Sequence, residues 1–210
     1  MIKLVIFDLD GTLVNSIEFW LSLYKKTVKK FGVEIDEKEL KKRFGKKDVD
    51  ILISLTPKDK QEKILKYYHN LKKKEKNYVD LNKFEYADKV LGKIKRKGIK
   101  IAVATGNTKD IAEFIIKKNK LDKYIDYLVT NDDVEKGKPA PDMILKILKH
   151  FGLEKKEVLS VGDAIYDYEA AKNAGIKSAL VKTGVLDGEE CVKCNPDYVF
   201  NDIRDILKLL

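Results

Sequence analysis

The chain has 210 residues, of which 37% are charged and 44% hydrophobic, with four prolines and a formal net charge of +9. That balance excludes a disordered or fibrous chain and leaves apolar material for one good-sized core with an elaboration, or for two small ones. The positive excess is almost wholly lysine, because Arg43, Arg96 and Arg204 are the only arginines and acidic residues are interspersed throughout, so the pattern describes a solvated surface that favours anionic small molecules more than nucleic acid.

The first apolar segment, IKLVIF at 2–7, is short enough for a buried strand and ends in Asp8, Asp10, Gly11 and Thr12. From Ile17 to about Tyr86 no strand is expected, only amphipathic helices such as FWLSLYKKTVKKF and KDKQEKILKYYHNLKKK. Phe19, Trp20, Leu23 and Tyr24 have helical spacing and read as core of that segment. A helix over 84–97 closed by Gly98 then leads to a strand at 99–104, and a helix over 108–119 to a strand at 126–130. A helix over 141–150 closed by Gly152 precedes a strand at 157–161, and a helix over 165–174 closed by Gly175 precedes one at 178–182, with a weaker YVF at 198–200.

Strands alternating with helices predict an α/β fold with a doubly wound parallel sheet. The helical stretch interrupts that alternation directly after the first strand. The expected organisation is a Rossmann-like core made of residues 1–16 and 86–210, with an α-helical cap over 17–85. Its position predicts a lid above the carboxyl ends of the strands, where open α/β sheets bind ligands. No basic leader and no apolar run of membrane-spanning length is present, so a cytoplasmic location without a membrane partner is expected. The two cysteines of CVKC at 191–194 have no second Cys or His pair at zinc spacing, and His69 and His150 are distant in sequence, so incidental thiols are expected.

Four polar clusters follow strands or open helices: Asp8 with Asp10, Thr105-Gly106-Asn107, Lys138 within EKGKPAPD, and Asp163 with Asp167. In a parallel sheet these ends point the same way and their side chains converge. Two carboxylates about 4 Å apart repel by roughly 4 kcal/mol at an effective dielectric near 20. Four acids gathered in one crevice therefore require cations, Lys138 being one and a hard divalent ion, Mg²⁺ by preference, the other. With charge so arranged, one aspartate of the first pair can attack phosphorus while the other donates and then accepts a proton. Thr105, Lys138 and backbone N–H groups near Gly106 and Asn107 can hold phosphate oxygens.

The segments DLDGT, TGN, GKPAPD and GDAIYD, in this order along essentially the whole chain, resemble the haloacid dehalogenase superfamily of hydrolases in its phosphatase branch. The similarity is to its phosphoglycolate phosphatase-like and β-phosphoglucomutase-like members. Asn15, where an aspartate is usual, and Ala164 of GDAIYD, where a serine often follows the first aspartate, depart from the family's pattern without altering a catalytic atom. The resemblance implies a parallel sheet of order 5-4-1-2-3 with an α-helical cap inserted after the first strand. It implies Asp8 as nucleophile and Mg²⁺ ligand, Asp10 as acid and base with its backbone carbonyl on the metal, and Asp163 as a further ligand. Thr105 and Lys138 would bind the phosphoryl group, and Asp167 would orient Lys138 or a metal-bound water. In RFGKKD at 43–48, Arg43, Lys46 and Lys47 are candidates for recognising a second anionic group of the substrate.

The expected activity is Mg²⁺-dependent hydrolysis of a small organic phosphate monoester, phosphoglycolate-like or a sugar phosphate, through an aspartyl-phosphate. The alternatives are a phosphomutase of the β-phosphoglucomutase kind, a haloacid dehalogenase, and a non-catalytic basic binding module. The expected partner is a small phosphorylated metabolite, with no nucleic acid. Oligomeric state is not legible.

Overall fold

The computed structural model describes residues 1–75 and 81–210. In chain order the elements are β1 (Leu4–Phe7), β2 (Val14–Asn15), α1 (Ile17–Lys29), α2 (Glu37–Lys41), α3 (Asp48–Leu55), α4 (Gln61–Glu75), β3 (Asn82–Lys83), α5 (Ala87–Arg96), β4 (Lys100–Ala104) and α6 (Lys109–Lys118). They continue with β5 (Tyr127–Val129), α7 (Asp142–Phe151), β6 (Val158–Gly162), α8 (Ile165–Ala174), β7 (Lys177–Val181), α9 (Gly188–Lys193) and β8 (Tyr198–Phe200), and a 3-10 run over Ile203–Lys208 follows.

Six strands form one parallel sheet in the order β5-β4-β1-β6-β7-β8. Counting only the strands of this sheet, the first five follow the expected order 5-4-1-2-3, and β8 extends it beside the fifth. Alternation along each strand divides the core between two faces. Val5, Phe7, Ile101, Val103, Leu159 and Val161 pack with α5, α6 and the 203–208 run. Leu4, Ile6, Ala102, Ala104 and Val158 face α7 and α8. The three glycines expected to close helices do so: Gly152 after α7 and Gly175 after α8 as C-caps, and Gly98, also left-handed, one residue beyond the C-cap Lys97 of α5. The short helix α9 was not anticipated; Asp187 caps it by accepting from the backbone N–H of Glu190.

The segment between β1 and β4 is helical as expected, with one correction. It is bounded by a small antiparallel ladder, in which Val14 faces Lys83 and Asn15 faces Asn82, so a strand lies within the stretch read as strandless. Two residues per strand are too few to give a period-2 pattern. The backbone N–H of Phe84 donates to the carbonyl of Leu13, which holds 84–86 outside the helix and makes α5 begin at Ala87 rather than at 84. Residues 76–80 of the expected cap lie outside the described residues.

The buried faces of α1 and α4 pack together, with Tyr24 and Tyr68 stacked at 5.3 Å and 4°. Their apolar cluster is continuous with the sheet through Leu9, Leu13 and Ile17. No described helix is long and apolar enough to cross a membrane.

Candidate active site

The three central strands β4, β1 and β6 run side by side, with Phe7 level with both Val103 and Val161. The residues immediately beyond their carboxyl ends therefore emerge at one edge, next to each other. Asp8 and Asp10 come from β1, Thr105 to Asn107 from β4, and Asp163 from β6. The loop before α7 brings in Lys138, and the first turn of α8 brings in Asp167.

Lys138 is 6% exposed, and its ammonium donates to Asp8 Oδ1 at 2.6 Å, to Asp167 Oδ1 at 2.5 Å and to the carbonyl of Ala104 at 2.8 Å. Carboxylate oxygens of Asp8, Asp163 and Asp167 lie within 4.8 Å of one another. Asp163 accepts from the Thr12 hydroxyl at 3.0 Å and from the backbone N–H of Val185 at 3.1 Å. The loop after β7 presses so closely on this carboxylate that a Cβ on Gly184 would stand 1.7 Å from Asp163 Oδ2.

Burial raises the Asp8 carboxyl from 3.8 to about 7, against the pull of Lys138, with Asp167 and Asp10 adding repulsion. Burial likewise lifts Asp163 well above the usual range, reinforced by Asp8 and Asp167. Burial disfavours charge on Lys138 too, but Asp167 and Asp8 outweigh it and raise its proton affinity. Three buried carboxylates around one ammonium leave negative charge uncompensated. A compact set of hard oxygens of this kind fits a divalent cation such as Mg²⁺.

Asp10 faces away from that group. Its Oδ1 accepts from the Ser16 hydroxyl and from Trp20 Nε1 at 2.6 Å, and its Oδ2 from Asn107 Nδ2. Enclosure raises its carboxyl above the usual range despite the downward pull of these donors, in the order Ser16, Trp20, Asn107. Burial thus lifts both aspartates, but Asp8 is answered by an ammonium and Asp10 by hydroxyl, indole and amide donors. Thr105 Oγ1 accepts from the backbone N–H of Asn107 at 3.2 Å.

A cavity of about 50 Å³ lies between these residues and the helical insert, lined on the sheet side by Asp8, Asp10, Thr105, Gly106, Asn107 and Asp163. The loop after α2 is seated directly on it: a Cβ on Gly106 would stand 3.2 Å from the carbonyl of Lys46 and 3.3 Å from that of Gly45. Of the three basic residues read from RFGKKD, only Lys46 lines the cavity, its ammonium 4.6 Å over the Tyr166 ring. Lys47 donates instead to the carbonyl of Glu135 at 2.9 Å, and Arg43 pairs within its own turn with Glu39.

Sequence reasoning did not assign Thr12, Ser16, Val185 or Asp48. Thr12 stands in DLDGT and Asp48 ends RFGKKD, so both were visible without a role. Ser16 and Val185 carry no signal, because their contacts exist only through the fold. Trp20 and Tyr24, read as core, are buried and also line the cavity.

Comparison with known proteins adds an independent line. A family model described as "Haloacid dehalogenase-like hydrolase" matches residues 5–181. The chain is 36% identical over 211 aligned residues, spanning 100% of this chain and 94% of the relative, to the "Putative pyrophosphatase PpaX" of Caldanaerobacter subterraneus subsp. tengcongensis. Among solved structures, a "predicted phosphoglycolate phosphatase" from Haemophilus somnus superposes with a TM-score of 0.86 at 22% identity, covering 99% of this chain and 97% of that one. A "putative beta-phosphoglucomutase" from Thermotoga maritima superposes with a TM-score of 0.75 at 27% identity, covering 100% of both chains.

Proposed function

Because the chain belongs to the haloacid dehalogenase-like hydrolase family, we propose that it is a Mg²⁺-dependent phosphatase that releases phosphate from a small phosphate monoester by way of an aspartyl-phosphate on Asp8. The observation that carries this reading is the contrast between two aspartates one residue apart. Asp8 is paired with Lys138 and stands beside Asp163, whereas Asp10 is turned aside and held by Ser16, Trp20 and Asn107.

In this assignment Asp8 Oδ attacks phosphorus, and the bond from phosphorus to the leaving oxygen breaks as Asp10 delivers its proton to that oxygen. Asp10 then takes a proton from water as the water attacks the aspartyl-phosphate, which returns free Asp8 and inorganic phosphate. Lys138 and the Thr105–Asn107 turn hold the transferring oxygens, and Asp167 fixes Lys138. Asp8, Asp163 and the Asp10 backbone carbonyl would hold Mg²⁺, with Asp167 in reserve. The ion supplies charge neutralisation at the phosphoryl oxygens when bound. We assign residues 1–16 and 86–210 to a catalytic core and 17–85 to a cap. Hydrolysis is preferred to the phosphomutase alternative because the curated relatives carry pyrophosphatase names.

A second substrate, inorganic pyrophosphate, is favoured by the name of the 36%-identical relative. The test is phosphate release from a panel of small monoesters and pyrophosphate, with and without Mg²⁺. Activity is expected only with the ion, and Asp8→Asn is expected to lower kcat by at least about a thousandfold. Sustained turnover by that variant would overturn the covalent route.

A further inference from the structure

One polar group on the cap side of the cavity has no part in phosphoryl transfer. Apart from Lys46, whose ammonium rests over Tyr166, the cap residues that line the cavity are Ile17, Trp20, Tyr24, Phe44, Gly45, Asp48 and Ile51. Asp48 thus sets one carboxylate into a mostly apolar wall. It opens α3, where an acid suits the helix dipole, but its surroundings go beyond that role. The Tyr24 hydroxyl donates to its Oδ1 at 2.5 Å, and the Lys72 ammonium donates to its Oδ2.

Lys72 is 4% exposed, with its ammonium 5.0 Å above the Trp20 ring and 5.7 Å from the Tyr68 ring centre. Lysine is rarely buried without a partner, and a buried ion pair adds little to stability compared with apolar residues of the same size. Both carboxylate oxygens are held in place, Oδ1 by Tyr24 of the cavity wall and Oδ2 by the buried Lys72, and each keeps lone-pair capacity. The wall therefore offers a fixed acceptor at the place where the part of the substrate beyond the scissile bond would lie.

We infer that Asp48 is a specificity-determining residue: it accepts a hydrogen bond from an O–H group on the leaving group and disfavours a leaving group that ends in an ionised carboxylate. The O–H can come from an alcohol or from a protonated phosphate oxygen. This inference rests on the phosphatase reading above, and it selects among that reading's substrates by chemistry.

Three monoesters of nearly equal size separate the contributions: 2-hydroxyethyl phosphate carries the donor, ethyl phosphate lacks it, and phosphoglycolate replaces it with a carboxylate. Inorganic pyrophosphate tests the phosphate source of the same donor. The wild type is expected to prefer a donor-bearing substrate to ethyl phosphate by about tenfold in kcat/KM, the scale of one hydrogen bond to a charged group, and to turn over phosphoglycolate least. Asp48→Asn, whose amide oxygen still accepts but carries no charge, is expected to reduce the preference for the donor and to raise phosphoglycolate relative to ethyl phosphate. Because Asn leaves Lys72 without its counter-charge, the double variant Asp48→Asn/Lys72→Gln and the milder Tyr24→Phe are measured beside it, each expected to move the ratios in the same direction.

A preference that collapses for 2-hydroxyethyl phosphate alone assigns the donor to an alcohol, and one that collapses for pyrophosphate alone assigns it to phosphate. Ratios unchanged in all variants, or a wild type that favours phosphoglycolate or ignores the donor, overturn the inference. A purely structural Asp48 would lower melting temperature while leaving those ratios alone, which also counts against it. Failure of the underlying reading looks different: no phosphate is released from any of the four compounds by a folded, Mg²⁺-loaded wild type.

Discussion

Asp8 sits at the junction of opposing influences, and its proton is a direct readout of them. Burial lifts its carboxyl to about 7 in the metal-free protein, more than Lys138 pulls it down. A group whose proton affinity is raised on folding stabilises the fold below its unfolded value and loses that contribution as pH rises through its folded value. The window here runs from about 3.8 to about 7. In chelator-treated protein, the melting temperature of the wild type minus that of Asp8→Asn is expected to fall as pH rises across this window. A difference that is flat, or that grows with pH, would show Lys138 to be the stronger influence. Mg²⁺ is expected to cancel the fall, because an ion on the carboxylates favours their charged form.

At the scale of elements, the joint between insert and sheet is tied by one buried side chain outside the acidic cluster. Asn119, just after α6, accepts from the backbone N–H of Lys83 at 2.6 Å and donates to the carbonyls of Leu81 and Ile115 at 2.8 and 2.9 Å. It ties the returning strand β3 to the end of α6. Asn119→Ala takes the side-chain partner from Lys83 N–H and the Leu81 carbonyl, while the Ile115 carbonyl keeps the backbone N–H of residue 119, and is expected to destabilise the protein by about 1–3 kcal/mol. Amide exchange should accelerate first at residues 81–84, ahead of the central strands. This joint also marks where sequence reading ended. The long periodic helices and the five apolar strands were legible because each carries its period over many residues. The β2–β3 ladder was not, because it is fixed by Asn119 and Leu13, partners distant in sequence. The same division holds in the site: the residues just past the strand ends follow from topology, whereas the bonds of Trp20 to Asp10 and Tyr24 to Asp48 depend on how α1 lies across the sheet.

For the whole molecule, the concentration of acids at one edge of the sheet sets a dependence on ions that the rest of the surface does not share. Other ion pairs among the described residues include exposed lysine–carboxylate contacts such as Lys42 with Glu39 and Lys156 with Glu154, each of little consequence for stability. Mg²⁺ at a hundred times its dissociation constant is expected to stabilise the fold by about 2.7 kcal/mol, seen as a rise in melting temperature that Asp163→Asn reduces. Monovalent salt at equal ionic strength should not reproduce the rise. An identical response in wild type and Asp163→Asn would place the ion elsewhere.

The two-rung ladder has a consequence for how such a chain can diversify. Val14 and Asn15 lead away from the sheet, and Asn82 and Lys83 come back beside them, so the ends of everything in between are neighbours. A different headpiece spliced at that single seam would leave Asp8, Lys138, Asp163 and the strands beneath in place, and would have to replace the donor that Trp20 gives Asp10. The seam therefore makes the intervening helices exchangeable as one piece, with Trp20 the side chain through which such an exchange would still be felt at Asp10.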